Sequence, residues 1–160
     1  DVYLANYEKN YVYETDQFFN GIGNGKFRET TAESGLIPAD SINRAGRGVN
    51  FGDFDNDEDL DIFVSDYRLT ENFLWVNDGS GKFMNQAHRR GVGGVEKDGW
   101  WGHTIGSEWG DFDNDGDLDL ITANLAHPRY LDFSNKTMLY ENSGSPNWKF
   151  ADIRAAAGIK

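Results

Sequence analysis

Nine residues recur in this chain almost unchanged. Residues 53–61 read DFDNDEDLD and residues 111–119 read DFDNDGDLD. The first segment holds six acids and the second five; without them sixteen acids face fifteen bases, so the formal net charge of −12 belongs almost wholly to these two stretches. Two carboxylates ~4 Å apart repel by roughly 4 kcal/mol at an effective dielectric of ~20, so a compact fold does not gather five of them without a cation. The plain alternative is a solvated acidic run. Against it stand the duplication, the alternation and the apolar residues set between the acids: Phe54 and Leu60 in one copy, Phe112 and Leu118 in the other.

The alternation carries the chemistry. Acids at positions 1, 3, 5 and 9 of a loop that turns at position 6 converge hard oxygens on one point. That suits Ca²⁺, which takes about six to eight oxygens, better than Mg²⁺, which demands tight octahedral geometry and keeps its waters. Zn²⁺ calls for His or Cys, and neither loop has one. The expected donors are the side chains of Asp53, Asp55, Asp57 and Asp61 with the main-chain carbonyl of Asp59, and those of Asp111, Asp113, Asp115 and Asp119 with the carbonyl of Asp117. An EF-hand would need a bidentate Glu at position 12, where Val64 and Thr122 stand here, and the flanking residues alternate like strands rather than helices. Position 6 separates the copies: Gly116 takes a positive φ freely and Glu58 does so at a steric cost. The first site is therefore expected to be weaker or altered in geometry.

The repeat extends beyond the loops. Residues 61–67 (DIFVSDY) align with 119–125 (DLITANL) and with 1–7 (DVYLANY). A second block recurs at Asn20…Gly25-Lys26-Phe27, at Asn77…Lys82-Phe83 and at Asn142…Lys149-Phe150, and each copy runs on to a small-residue ending at 32–36, 89–92 and 156–159. A full copy reads as four strands: residues 48–52, 60–66 and 72–76, then a Gly/Asn/Asp-rich turn into a strand that starts at Lys82-Phe83. Four short strands per unit, repeated, is the pattern of propeller blades, each covered by its neighbour. The expected fold is all-β, a partial β-propeller of about three four-stranded antiparallel blades: 1–36, whose first strand and metal loop are missing, 47–92 and 105–159. Asp1 falls where the ninth ligand of a preceding loop would be, so the chain is expected to open mid-repeat, and because a closed ring needs about 4–8 blades, further blades are expected from elsewhere.

These residues resemble the FG-GAP/VCBS repeats of integrin α-subunit-like β-propellers. The resemblance rests on 49–55 (VNFGDFD) with Asp57 and Asp61, and on 108–113 (EWGDFD) with Asp115, Gly116 and Asp119. Residues 25–36 and 149–159 look like the subgroup found in cartilage-acidic-protein and UnbV-type secreted proteins. The resemblance implies a Ca²⁺-bearing extracellular propeller, secreted or at the cell surface, with the periplasm as the alternative. Glu58 departs from the family's glycine.

Blade topology puts the metal loops and the strand-three-to-four turns on one face, and the remaining connections on the other. Those connections hold Tyr11, Tyr13, Tyr67, Arg68, Trp100, Trp101, His103, His127, Arg129 and Tyr130. Aromatic and Arg side chains on loops are typical of recognition surfaces, so Tyr67, Arg68, Trp100, Trp101, His103, His127, Arg129 and Tyr130 are the candidates for a protein or glycan ligand. Trp100 and Trp101 are equally read as plugs between blades, and His103 and His127 as hydrogen-bonded structural residues. The acidic balance argues against nucleic acid, and no apolar run approaches the ~18 residues of a membrane span. Zero Cys excludes a disulfide scaffold. Twenty-three aromatic residues argue against disorder. Three functions stay open: a non-enzymatic calcium-binding recognition or adhesion module, a structural subunit of an extracellular fibre or assembly, and a fragment of a propeller-type polysaccharide lyase or hydrolase, for which no spacing joins a nucleophile, base and oxyanion donor.

Overall fold

The computed structural model describes residues 1–9, 12–38, 44–126 and 135–159, with backbone alone at 8, 9, 12 and 13. Thirteen strands and one short helix occupy this stretch. Strands β1 (Val2–Leu4), β4 (Gln17–Gly23) and β5 (Lys26–Glu29) form a three-stranded antiparallel sheet in the order β1-β4-β5. Strands β6 (Ala45–Gly52), β7 (Asp61–Tyr67), β8 (Phe73–Asn77) and β9 (Phe83–Asn85) form a four-stranded meander. A second meander follows, from β10 (Thr104–Gly110) and β11 (Asp119–Asn124) to β12 (Met138–Asn142) and β13 (Phe150–Asp152). A two-stranded hairpin, β2 (Glu8–Lys9) and β3 (Val12–Tyr13), stands in the stretch that the sequence marks as an irregular connection. Three antiparallel sheets laid side by side give the partial-propeller arrangement.

Burial along the strands explains why the sheets stack. β7 is buried at Asp61 and at every position from Ile62 to Asp66, so the middle sheet is covered on both faces. Its side chains divide with the period of two that a strand imposes. Ile62 and Val64, with Phe73 and Trp75 of β8, join Tyr3 and Phe18 of the first sheet and Leu36, past the end of β5, in one core. Phe63, with Leu74 and Val76 of β8, joins Leu120, Met138, Tyr140 and Phe150 of the third sheet in the other. The outer faces differ. Val2 and Leu4 are 36% and 43% exposed while Tyr3 between them is 8% exposed, and Phe27 on β5 is 52% exposed.

The small-residue ending of each repeat is one recurring turn. Leu36, Val92 and Ile159 each donate their N–H to the carbonyl five residues earlier, on Thr31, Ala87 and Arg154. Gly35, Gly91 and Gly158 supply the positive φ that such a helix C-terminus requires. In the middle sheet the turn winds into α1 (Ala87–Arg90), which seats Ala87 and Val92 in the core. The periodicity does not announce this helix, because four residues are too few to show a 3.6-residue pattern.

Both first strands carry a bulge. The register slips between Gly46 and Gly48 in β6 and between Thr104 and Gly106 in β10, so Arg47 and Ile105 stand out of the ladders.

Candidate metal centre and the opposite face

The two aspartate loops join β6 to β7 and β10 to β11, and each is wound around its first acid. Asp53 accepts the N–H of Asp57 at 3.1 Å and of Glu58 at 3.0 Å. Asp111 accepts those of Asp115 at 3.1 Å and Gly116 at 3.2 Å. The acid at position 5 then accepts the N–H of the residue at position 7: Asp57 from Asp59 at 3.0 Å, Asp115 from Asp117 at 2.9 Å. The winding needs left-handed backbone at positions 4 and 6. Asn56 and Asn114 sit at φ 52° and 64°, Glu58 at 71° and Gly116 at 94°, so the strain expected at Glu58 is present in the fold. The acid at position 9 is tied to the end of the third strand, where the next turn begins: Asp61 Oδ1 accepts the Asn77 N–H and Asp119 Oδ1 the Asn142 N–H, each at 2.8 Å. A methyl on Gly79 would lie 2.7 Å from Asp59 Oδ2, and one on Gly144 would collide with the Asp117 carboxylate, so both turns lie against the loops. The metal loops and these turns therefore share a face.

Within the first loop, carboxylate oxygens of Asp53, Asp55 and Asp61 lie within 4.8 Å of one another; in the second, those of Asp111, Asp113 and Asp115 do. Each group could hold a divalent ion. Of the other side-chain donors named from sequence, Asp57 in the first loop and Asp119 in the second fall outside these groups; Asp59 and Asp117 are expected through their main-chain carbonyls, which these carboxylate groups do not include. The donor set fits a hard cation, being oxygen throughout. In the first loop the fit has a further mark: Asp55 Oδ1 and Asp61 Oδ2 are buried with no hydrogen-bond partner. Such atoms are costly unless something compensates them. Burial pushes Asp61 up to about 7, and it raises Asp55, helped by Asp57 and opposed by Arg90. Asp113 and Asp117 are also raised, by desolvation first and by neighbouring acids next.

The loops are joined to each other. Asn56 of the first donates to Asp117 Oδ1 of the second at 2.7 Å. Buried Asn142 donates at 2.9 Å to the carbonyl of Phe54 and at 3.1 Å to that of Leu118. Phe54 is fully buried and its ring stacks on Trp109 at 6.3 Å, while Phe112, its counterpart, is 43% exposed.

On the opposite face the structure brings together two of the residues singled out from sequence. The Tyr67 ring lies 4.7 Å from that of His103, which is buried, and 6.0 Å from that of Tyr7. Arg47 completes the cluster, its guanidinium 4.4 Å from the Tyr7 ring and 4.9 Å from the Tyr67 ring. Sequence reading missed Arg47; the glycines on either side of it were the available sign of a bulge. Arg68 takes a positive φ of 76° beside the cluster. Trp100 is 48% exposed; Trp101 is half-buried, donates its main-chain N–H to the Leu69 carbonyl at 3.0 Å and meets the exposed ring of His88. Tyr11, His127, Arg129 and Tyr130 lie outside the described residues. Asn135, which opens a glycosylation-like triplet, already uses its side-chain oxygen and nitrogen on the backbone of Val95, both at 2.8 Å. Among the described residues no helix is long and apolar enough to cross a membrane.

Known proteins resemble this chain in sequence. The model of the FG-GAP-like repeat matches residues 1–64 and 53–122. Cartilage acidic protein 1 of Mus musculus is 31% identical over 137 residues, covering 81% of this chain and 20% of the relative. The Homo sapiens protein of that name is 31% identical over 137 residues, with 81% and 19% covered, and the Xenopus tropicalis protein 31% over 136 residues, with 81% and 20% covered. The chain thus spans about a fifth of the length of these curated relatives. Because the two matches together run from residue 1 to residue 122 and take in both aspartate loops, the chain belongs to the FG-GAP-like repeat family.

Proposed function

We propose that this chain is a calcium-stabilised repeat unit of an extracellular β-propeller that serves recognition or adhesion, its metals structural rather than catalytic. The observation that supports this best is the first loop, where Asp53, Asp55 and Asp61 converge and two buried carboxylate oxygens lack a partner. An ion there would compensate the acids and pin the corner between β6 and β7, with Asp57 and the Asp59 carbonyl as further donors. In the second loop Asp111, Asp113 and Asp115 would hold the ion, with Asp119 and the Asp117 carbonyl completing it. Millimolar free Ca²⁺ is found outside the cytosol; at a site of ~10 µM affinity it would add roughly 2.7 kcal/mol per site by linkage. Melting the protein in calcium and again in EDTA tests this. The melting temperature should fall in EDTA and return when calcium is restored, and an unchanged melt would refute structural metals.

Recognition is assigned to the other face, at Tyr7, Arg47, Tyr67 and His103. Among the described residues Arg47 is exposed and has no ion-pair partner, so its N–H groups are available to a protein or glycan ligand while the tyrosine rings hold it in place. Arg68, Trp100, Trp101, His127, Arg129 and Tyr130 belong to the same proposed surface. Replacing Arg47 with Ala should leave the melt nearly unchanged and weaken binding to immobilised matrix extract, and equal binding by both forms would remove Arg47 from the surface.

Assembly with further blades is the second reading, and the outer faces favour it. Phe112 projects from the second loop where Phe54, on the first, anchors the next sheet, and Val2, Leu4 and Phe27 line the outer face of the first sheet. On this reading the units 1–36, 47–92 and 105–159 are blades of a larger ring. Sedimentation should show self-association of the isolated chain, reduced by Phe112→Ser; a monomer at high concentration would contradict it.

A further inference from the structure

We infer that Arg90 is a built-in counter-ion of the first aspartate loop, holding it together without metal and weakening its hold on a divalent ion. The inference rests on the calcium reading of the loops. Arg90 Nη2 lies 3.9 Å from Asp55 Oδ2, and both side chains are only 12% exposed. The guanidinium is fixed from three sides. Nε donates to Gln86 Oε1 at 2.9 Å, Nη1 donates to the carbonyl of Asn147 at 2.8 Å and that of Trp148 at 3.3 Å, and the group lies 5.3 Å from the Phe54 ring centroid. α1 places it there, since Gly91 ends the helix immediately after Arg90. Thus a residue of the helix that follows the middle sheet reaches the turn between β12 and β13 and also sits beside a proposed ligand.

Among the described residues the second loop has no equivalent. Alignment of the repeat endings puts Ala157 opposite Arg90. Among the described residues no Lys or Arg lies within ion-pair distance of the acids of the second loop. A fixed positive charge a few ångströms from a divalent ion repels it, and the same charge offsets acid repulsion when the ion is gone. Even with the full screening of bulk water, the repulsion across a separation of ~7 Å lowers the affinity by about five- to tenfold.

The test is a calcium titration of the chain followed by NMR at the amides of Glu58 and Gly116, which report the two loops separately, in wild type and in R90Q, R90M and R90K. In R90Q and R90M the first loop should bind about five- to tenfold more tightly, the second loop should be unchanged, and the melting temperature in EDTA should fall. R90K keeps the charge and should bind as wild type does. Unchanged or weaker first-loop affinity in R90Q and R90M overturns the inference, and so does the same change in all three variants, which would report lost packing. If neither amide of the wild type responds to calcium while the protein is folded, the calcium reading falls and this inference falls with it.

Discussion

The two aspartate loops differ at one residue in nine, Glu58 against Gly116, yet their surroundings are unlike. The first is pressed between sheets. Its Phe54 is fully buried, its Asp61 is fully buried, and Arg90 closes one side. The second is open, with Asp111, Asp113 and Asp115 all exposed and Phe112 turned to solvent. Equal sequence therefore does not mean equal site: a loop's electrostatics are set by what the next sheet brings to it. In the first loop burial raises the cost of uncompensated carboxylates, and strain at Glu58 and the charge of Arg90 both act against tight metal binding. In the second, solvent screens the acids, and glycine makes the turn without strain.

The largest expected effect separates the two phenylalanines. Phe54→Ala should cost ~3–5 kcal/mol, as for other buried aromatic truncations, and Phe112→Ala less than ~1 kcal/mol. Urea denaturation of both variants checks this, and equal losses would mean that the loops are packed alike.

Next comes a contrast further along the same strands, where Asp66 of β7 aligns with Asn124 of β11. Asp66 is fully buried and accepts the Ala45 N–H at 3.0 Å. Burial pushes it up to about 7, with Arg44 lowering and Asp16 raising it further. Because the folded state holds this proton more firmly than the unfolded chain, the stabilisation is complete below about pH 4 and is lost as pH rises through about 7. Asp66→Asn should remove that loss, so between pH 5 and 8 the wild type should weaken by about 2–4 kcal/mol more than the variant. Denaturation at the two pH values, with calcium present throughout, measures the difference, and parallel curves would place the Asp66 carboxyl in water.

Smaller effects sharpen the comparison at the loops themselves. Glu58→Gly relieves a positive φ and should stabilise by ~1 kcal/mol, whereas Gly116→Ala should destabilise by a similar ~1 kcal/mol. Thermal melts decide the sign. Asn56→Ala removes the hydrogen bond from the first loop to Asp117 and should cost ~0.5–1 kcal/mol. If it also lowers calcium affinity at the second loop, the two sites are coupled through that bond.

Much of this was legible in the residues. The acid spacing marks the loops, because few local patterns other than ion binding set carboxylates at alternate positions. Four strands per repeat followed from alternation, and the strands lie within a few residues of where the sequence puts them: β6 begins at Ala45 rather than Gly48, and β8 ends at Asn77 rather than Val76. What was not legible is long-range or local in a way that periodicity does not sample. Arg90 belongs to a repeat ending that reads as a plain turn, and only stacking of the sheets carries it to Asp55. Arg47 meets Tyr7 and Tyr67 because a bulge ejects it from β6, and the pairing of two sheets brings in Tyr7. The different fates of Phe54 and Phe112 have no local sequence signal, since the residues flanking them are identical.

Calcium titration of the chelator-treated chain by calorimetry tests the central claim most directly. The account predicts two binding events of unequal affinity, the weaker abolished by Asp53→Asn and the tighter by Asp111→Asn. A folded protein that takes up no calcium at millimolar concentration would contradict it.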